Sequence, residues 1–79
     1  MTEHFKKREK EIIIAIDRQG RPMSIRELAR ATGFSWASVK SNLEELNKKG
    51  IAIEYEVREG SRRSRWGLNY RSINAALGR

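Results

Sequence analysis

The segment Ser24-Ile25-Arg26-Glu27, followed shortly by Gly33-Phe34-Ser35, constrains this chain more than any other feature. A serine at a helix N-cap accepts from a free backbone N–H, and a glutamate three residues on reaches back to the N–H of the cap. Met23 and Leu28 flank that box as a hydrophobic staple. Gly33 suits the left-handed conformation that ends a helix. Ser35 then caps a new helix, with Phe34 and Val39 as its staple. The pattern predicts two helices, about 24–32 and 35–49, separated by a sharp turn. Ile25, Leu28 and Ala29 give the first its apolar face, and Val39, Leu43 and Leu46 give the second a stripe at i, i+4, i+7. Lys48 and Lys49 suit the negative end of that helix, and Gly50 ends it.

Upstream, Phe5, Ile12 and Ile16 share one face, with Ile13 beside them, and predict a helix over about 3–19. Gly20 stops it and Pro22 prevents its resumption. Ile14 points away from that face, so it covers a second core surface, packs on the C-terminal segment, or contacts another subunit. After Gly50 the period changes. Ile51, Ile53, Tyr55 and Val57 alternate with Ala52, Glu54 and Glu56, which predicts a strand over 51–57 with the first set turned inward. Glu59-Gly60-Ser61 reads as a turn. Ser64, Trp66 and Leu68 alternate with Arg63, Arg65 and Gly67 in a second strand, 63–69. Ile73, Ala76 and Leu77 predict a last short helix over 71–77. The expected fold is a single α+β domain over 1–79, mainly α, with a three-helix core, a hairpin and a short final helix.

Lys and Arg number 17 against 10 Asp and Glu, a net charge of +7, which points toward a polyanionic partner. The charge is uneven: beyond residue 57, Arg58, Arg62, Arg63, Arg65, Arg71 and Arg79 face Glu59 alone. There is no cysteine, and His4 is the single histidine, so no metal or other cofactor is expected. No apolar run approaches the ~18 residues of a membrane span, and none resembles a signal peptide, so a cytoplasmic protein is expected. No phosphate-binding or dinucleotide fingerprint occurs, and no spaced carboxylate pair suggests catalysis. An enzyme is not expected.

Two short helices joined by a glycine-containing turn are a helix-turn-helix candidate, and the order helix, helix, helix, strand, strand makes it more specific. Ser24-Ile25-Arg26-Glu27-Leu28-Ala29, Thr32-Gly33-Phe34-Ser35, Val39, Leu43, Leu46 and Gly50-Ile51 resemble the core of winged helix-turn-helix transcriptional regulators. These are of the MarR and ArsR type, with small archaeal and viral members, and the resemblance covers roughly residues 5–70. It implies that the helix from Ser35 enters the major groove and that the Arg58–Arg65 hairpin is the wing. The chain carries no Cys or His set of the ArsR metal site. It is also shorter than a MarR protein and lacks the long flanking dimerisation helices.

With Val39, Leu43 and Leu46 buried, the outward positions on that helix include Ala37, Ser38, Lys40 and Ser41. The first turns of a recognition helix meet the base edges. Ser38 and Ser41 can donate or accept there, Ala37 can touch a thymine methyl, and Lys40 can reach guanine or phosphate. Trp36 either stacks at the groove edge or finishes the core under the wing. Glu44 and Glu45 repel phosphate, which confines the reading surface to the first two turns. Arg62, Arg63 and Arg65 are candidates for the backbone or the adjacent minor groove. Arg26, Arg30 and Arg21 are candidates for phosphates. The expected partner is double-stranded DNA, bound by a homodimer through Ile14, Ile73, Ala76 and Leu77 or by a monomer that pairs on DNA. The alternatives are a replication-origin or RNA-binding protein, and a protein-interaction module.

Overall fold

The capping chemistry is realised residue by residue in a computed structural model that describes residues 5–56 and 64–76. Helix α1 spans Lys7–Gln19, strand β1 Met23–Ser24, α2 Ile25–Thr32, α3 Trp36–Lys48, β2 Ala52–Glu56, β3 Ser64–Leu68 and α4 Tyr70–Ala76. Ser24 Oγ accepts from Glu27 N at 3.1 Å, and Glu27 Oε1 accepts from Ser24 N at 3.0 Å, closing the reciprocal box. Gly33 takes φ 78°, a left-handed turn that costs glycine little. Ser35 Oγ then accepts from Ser38 N at 3.1 Å, so α3 starts one residue after its cap.

Helix α1 begins at Lys7 rather than near residue 3, and residues 1–4 lie outside the described residues. Glu9 sets the start, because its Oε1 accepts from Lys6 N at 2.9 Å and satisfies a donor at the helix end. The same oxygen accepts from Lys49 Nζ at 2.9 Å, although Glu9 is 0% exposed. The end of α3 is thereby tied to the start of α1. Lys49 Nζ also lies 5.7 Å from the centroid of the Phe5 ring.

The core joins Ile12 and Ile16 of α1, Leu28 of α2, and Val39, Leu43 and Leu46 of α3 to Met23, Ile51, Ala52, Trp66 and Ile73. Strand order is β1-β3-β2, all antiparallel. The pairing of Met23 with Trp66 and Ser24 with Arg65 adds a strand that the sequence reading lacks. Two residues carry no periodicity of their own, and their partner lies more than forty positions away.

Four expectations need correction. In β2 it is Ala52, opposite Leu68, that turns inward, while Tyr55 is exposed. Ile51 is buried before the strand begins, its N–H bonded to Leu46 O at 2.9 Å, and Ala52 continues that buried run into β2. Tyr55 lies instead over Gly67, where an added methyl would come within 2.8 Å of Tyr55 Cε2. Next, Ile73 belongs to the core at 8% exposure and is not a dimer surface. Helix α4 starts at Tyr70 and folds that face back onto the domain, with Ile73 N bonded to Asn69 O at 3.0 Å. Last, Trp36 does not finish the core. It is 55% exposed, and Trp66 from β3 fills the position under the sheet. Ile14 covers no second core surface either and stands 47% exposed on α1.

Leu43 is fully buried where α3 meets the rest of the core. Leu43→Ala should cost about 2–5 kcal/mol in a urea unfolding experiment. That is a large share of the ~5–15 kcal/mol total of a small domain. A loss well under ~1 kcal/mol would show that this stripe does not anchor α3.

Candidate nucleic-acid interface

Helix α3 buries only the narrow sector of Val39, Leu43 and Leu46. The remainder of its surface divides into two flanks and an outer ridge. Trp36 and Lys40 lie one helical turn apart on the flank facing α2 and the sheet. There they line an open groove together with Arg26 of α2, Ser41, Glu54 and the edge of Trp66. Lys40 Nζ sits 5.2 Å from the centroid of the Trp36 ring, a cation–π contact that gives the lysine a preferred position. Four of the expected site residues, Trp36, Lys40, Ser41 and Arg26, are thus brought to one concave surface. Ala37 is exposed on the ridge beside it.

Ser38 is placed differently. It is half-buried on the opposite flank, where Arg8 Nη1 of α1 donates to Ser38 Oγ at 3.2 Å. Asn42 Nδ2 donates to Ser38 O at 2.7 Å and reaches Ser38 Oγ at 3.5 Å. Sequence reasoning missed Arg8 altogether, because nothing local marks a residue thirty positions upstream as a neighbour of α3.

The second half of α3 is more acidic. Glu44 is exposed on the groove, and Glu45 Oε2 accepts from Lys48 Nζ at 3.3 Å. The favourable surface for a polyanion is therefore the N-terminal half, as the two glutamates suggest.

Arg65 emerges from β3 on the sheet face opposite Trp66, and its Nη1 donates to Glu27 Oε1 at 3.1 Å. Arg21 Nη2 donates to Glu27 Oε2 at 3.0 Å. One half-buried carboxylate thus holds the α2 cap, the preceding turn and β3. The bond from the Ser24 N–H, then that from Arg21, with Arg65 nearby, lowers the Glu27 pKa to about 2. Arg62 and Arg63 fall in 57–63, outside the described residues, and so does Leu77. Arg30 is exposed on α2. Among the described residues no group of His, Cys, Asp and Glu gathers in a way that could hold a metal ion, and no helix is long and apolar enough to cross a membrane.

Residues 5–52 match the family model of winged helix-turn-helix DNA-binding domains, and the chain belongs to that family. Its solved structural neighbours are MarR-type regulators. One is BpsR of Bordetella bronchiseptica, whose DNA binding is regulated by 6-hydroxynicotinic acid. It has a TM-score of 0.80 and 16% identity over 96% of this chain and 53% of that one. The PcaV transcriptional regulator of Streptomyces coelicolor superposes with a TM-score of 0.82 at 13% identity, over 95% of this chain and 52% of its own. The adhesin competence repressor AdcR of Streptococcus pyogenes gives 0.79 at 16%, over 95% and 53%. The chain spans about half the length of these proteins. No curated protein matches its sequence.

The low pKa of Glu27 makes stability depend on pH. Its ordinary value is 4.5 and its folded value about 2, so its contribution is complete above pH ~4.5 and is lost as pH falls toward 2. Urea unfolding of the wild type should therefore weaken across that window. Glu27→Gln should be less stable at neutral pH and show a flatter profile over the same range. Parallel profiles for the two proteins would remove Glu27 as the group responsible.

Proposed function

We propose that this domain is a sequence-specific double-stranded DNA-binding module of a transcriptional regulator. In this reading the first two turns of α3 enter the major groove. Trp36, Ala37, Lys40 and Ser41 meet base edges or the groove wall, and Ser38 acts from the α1 flank. Arg62, Arg63 and Arg65 engage the backbone or the neighbouring minor groove, and Arg26 binds a phosphate. The observation that carries the reading is the uncovered N-terminal half of α3, flanked by cations, in a chain of the winged helix-turn-helix family.

The chemistry fits the partner. Small side chains at Ala37 and Ser41 let the helix backbone approach the base edges, and Lys40 supplies a flexible donor. Arg65 has donors to spare beyond the one spent on Glu27, so it can hold the strand and still fork onto a phosphate. Binding, not catalysis, is the role, in the cytoplasm. Two-fold operators suit a homodimer, for which Ile14 on α1 offers an exposed apolar contact and Leu77 a second candidate.

Selection from a random duplex pool, followed by footprinting of the winner, tests this directly. One dominant motif should emerge, bound more tightly than single strands or RNA at equal salt. The log–log salt slope should be near ~0.9 per phosphate neutralised. Lys40→Ala should change the preferred sequence, and Arg63→Ala should weaken all duplexes alike and flatten the slope. Tighter binding of RNA or single strands would overturn the duplex assignment. An unchanged slope in Arg63→Ala would remove the wing from the interface.

A further inference from the structure

We infer that Arg8, on α1, is a phosphate-binding residue that contacts the DNA strand on the side of α3 away from the wing. The inference rests on the duplex-binding reading above and adds to it a contact outside the helix-turn-helix pair and the wing.

Four of the cations with a described partner here are paired with a carboxylate. Arg21 and Arg65 pair with Glu27, Lys48 with Glu45, and Lys49 with Glu9. Arg8 is different. Its Nη1 donates to a neutral hydroxyl, Ser38 Oγ, and its guanidinium carbon stands 5.5 Å from the centroid of the Phe34 ring. Among the described residues it forms no ion pair with a carboxylate. An exposed arginine is thus positioned by two uncharged contacts, with its charge unpaired among the described residues and other N–H donors to spare. Lys40 shares this arrangement through Trp36.

The two cations stand on opposite flanks of α3. At about 100° per residue, Ser38 lies roughly 160° around the helix from Lys40. Arg8 is bonded at Ser38, on the α1 side, while Lys40 and Arg26 line the groove on the α2 and sheet side. An α-helix with side chains is ~10–12 Å across, and the major groove is ~12 Å wide. A helix seated in it fills the groove, so its flanks face the phosphates of opposite strands. Lys40 and Arg26 then address one strand and Arg8 the other. Both flanking charges lie beside the first turns of α3, ahead of the repulsive Glu44 and Glu45.

Titrating duplex DNA at several salt concentrations against wild type, Arg8→Ala, Arg8→Lys and Ser38→Ala tests this. Arg8 is exposed, and thermal melting checks that each variant folds. Arg8→Ala should lower affinity on every duplex alike and reduce the salt slope by ~0.9, the share of one phosphate. Arg8→Lys should restore the slope. Ser38→Ala should alter sequence preference and leave the slope near that of the wild type. If the wild type binds duplex steeply and Arg8→Ala keeps its slope, the Arg8 contact is overturned and the duplex reading stands. A changed preference with unchanged slope would also overturn it, by reducing Arg8 to a support for Ser38. If the wild type shows no duplex binding, both readings fall together.

Discussion

The narrowness of the apolar stripe on α3 governs the rest of the structure. Three residues, Val39, Leu43 and Leu46, supply the fully buried contact of a helix thirteen residues long. Each buried side chain of this size contributes roughly 1.5–3 kcal/mol. So small an anchor is sufficient only because α1, α2 and the sheet all converge on it. Because the stripe is narrow, most of the circumference of the helix stays outside the core. A broader apolar face would have stabilised the domain and left less of the helix open to a partner.

Two carboxylates add order that hydrophobic contact cannot. Glu9 joins the beginning of α1 to the end of α3, and Glu27 joins α2 to the turn before it and to β3. They differ in setting. Glu9 is fully buried, so removing its lysine would leave a charge stranded in the core. Glu27 is partly wet, and its worth lies more in fixing geometry than in raw energy. Through it, the base of the wing and the start of α2 share a reference point. A domain of this size, without disulfides, gains register from such bonds where its core is too small to impose it.

What could be read from the sequence was what local chemistry determines. Ser24, Gly33 and Ser35 place the ends of α2 and α3 to within a residue, because capping involves only neighbours in the chain. What eluded it depends on distant partners. Strand β1 exists because Trp66 and Arg65 lie beside it, and Ile73 is buried because α4 folds back. The inward face of β2 was misread because Ile51 resembles the first residue of the alternation, whereas its backbone bonds to the end of α3. One signal was available and unused. Glu9 lies four residues after Phe5 and three before Ile12, on the apolar face of α1, where a charge implies a buried partner. In the candidate interface, Lys40, Ser41 and Ala37 followed from subtracting the buried stripe. Ser38 followed from it too, but the bond it accepts from Arg8 did not, because Arg8 approaches from another helix.

The two tryptophans divide the molecule into reporters with separate duties. Trp66 is sealed at 5% exposure, and Trp36 stands in solvent on the flank of α3. An indole in an apolar interior emits at shorter wavelength than one in water. The native spectrum is therefore a sum of a blue and a red component carried by different parts of the fold. Unfolding shifts the blue component, and a macromolecule that covers the Trp36 flank of α3 perturbs the red one. The domain thus carries its own optical labels for integrity and for occupancy, and each can be followed without attaching a dye.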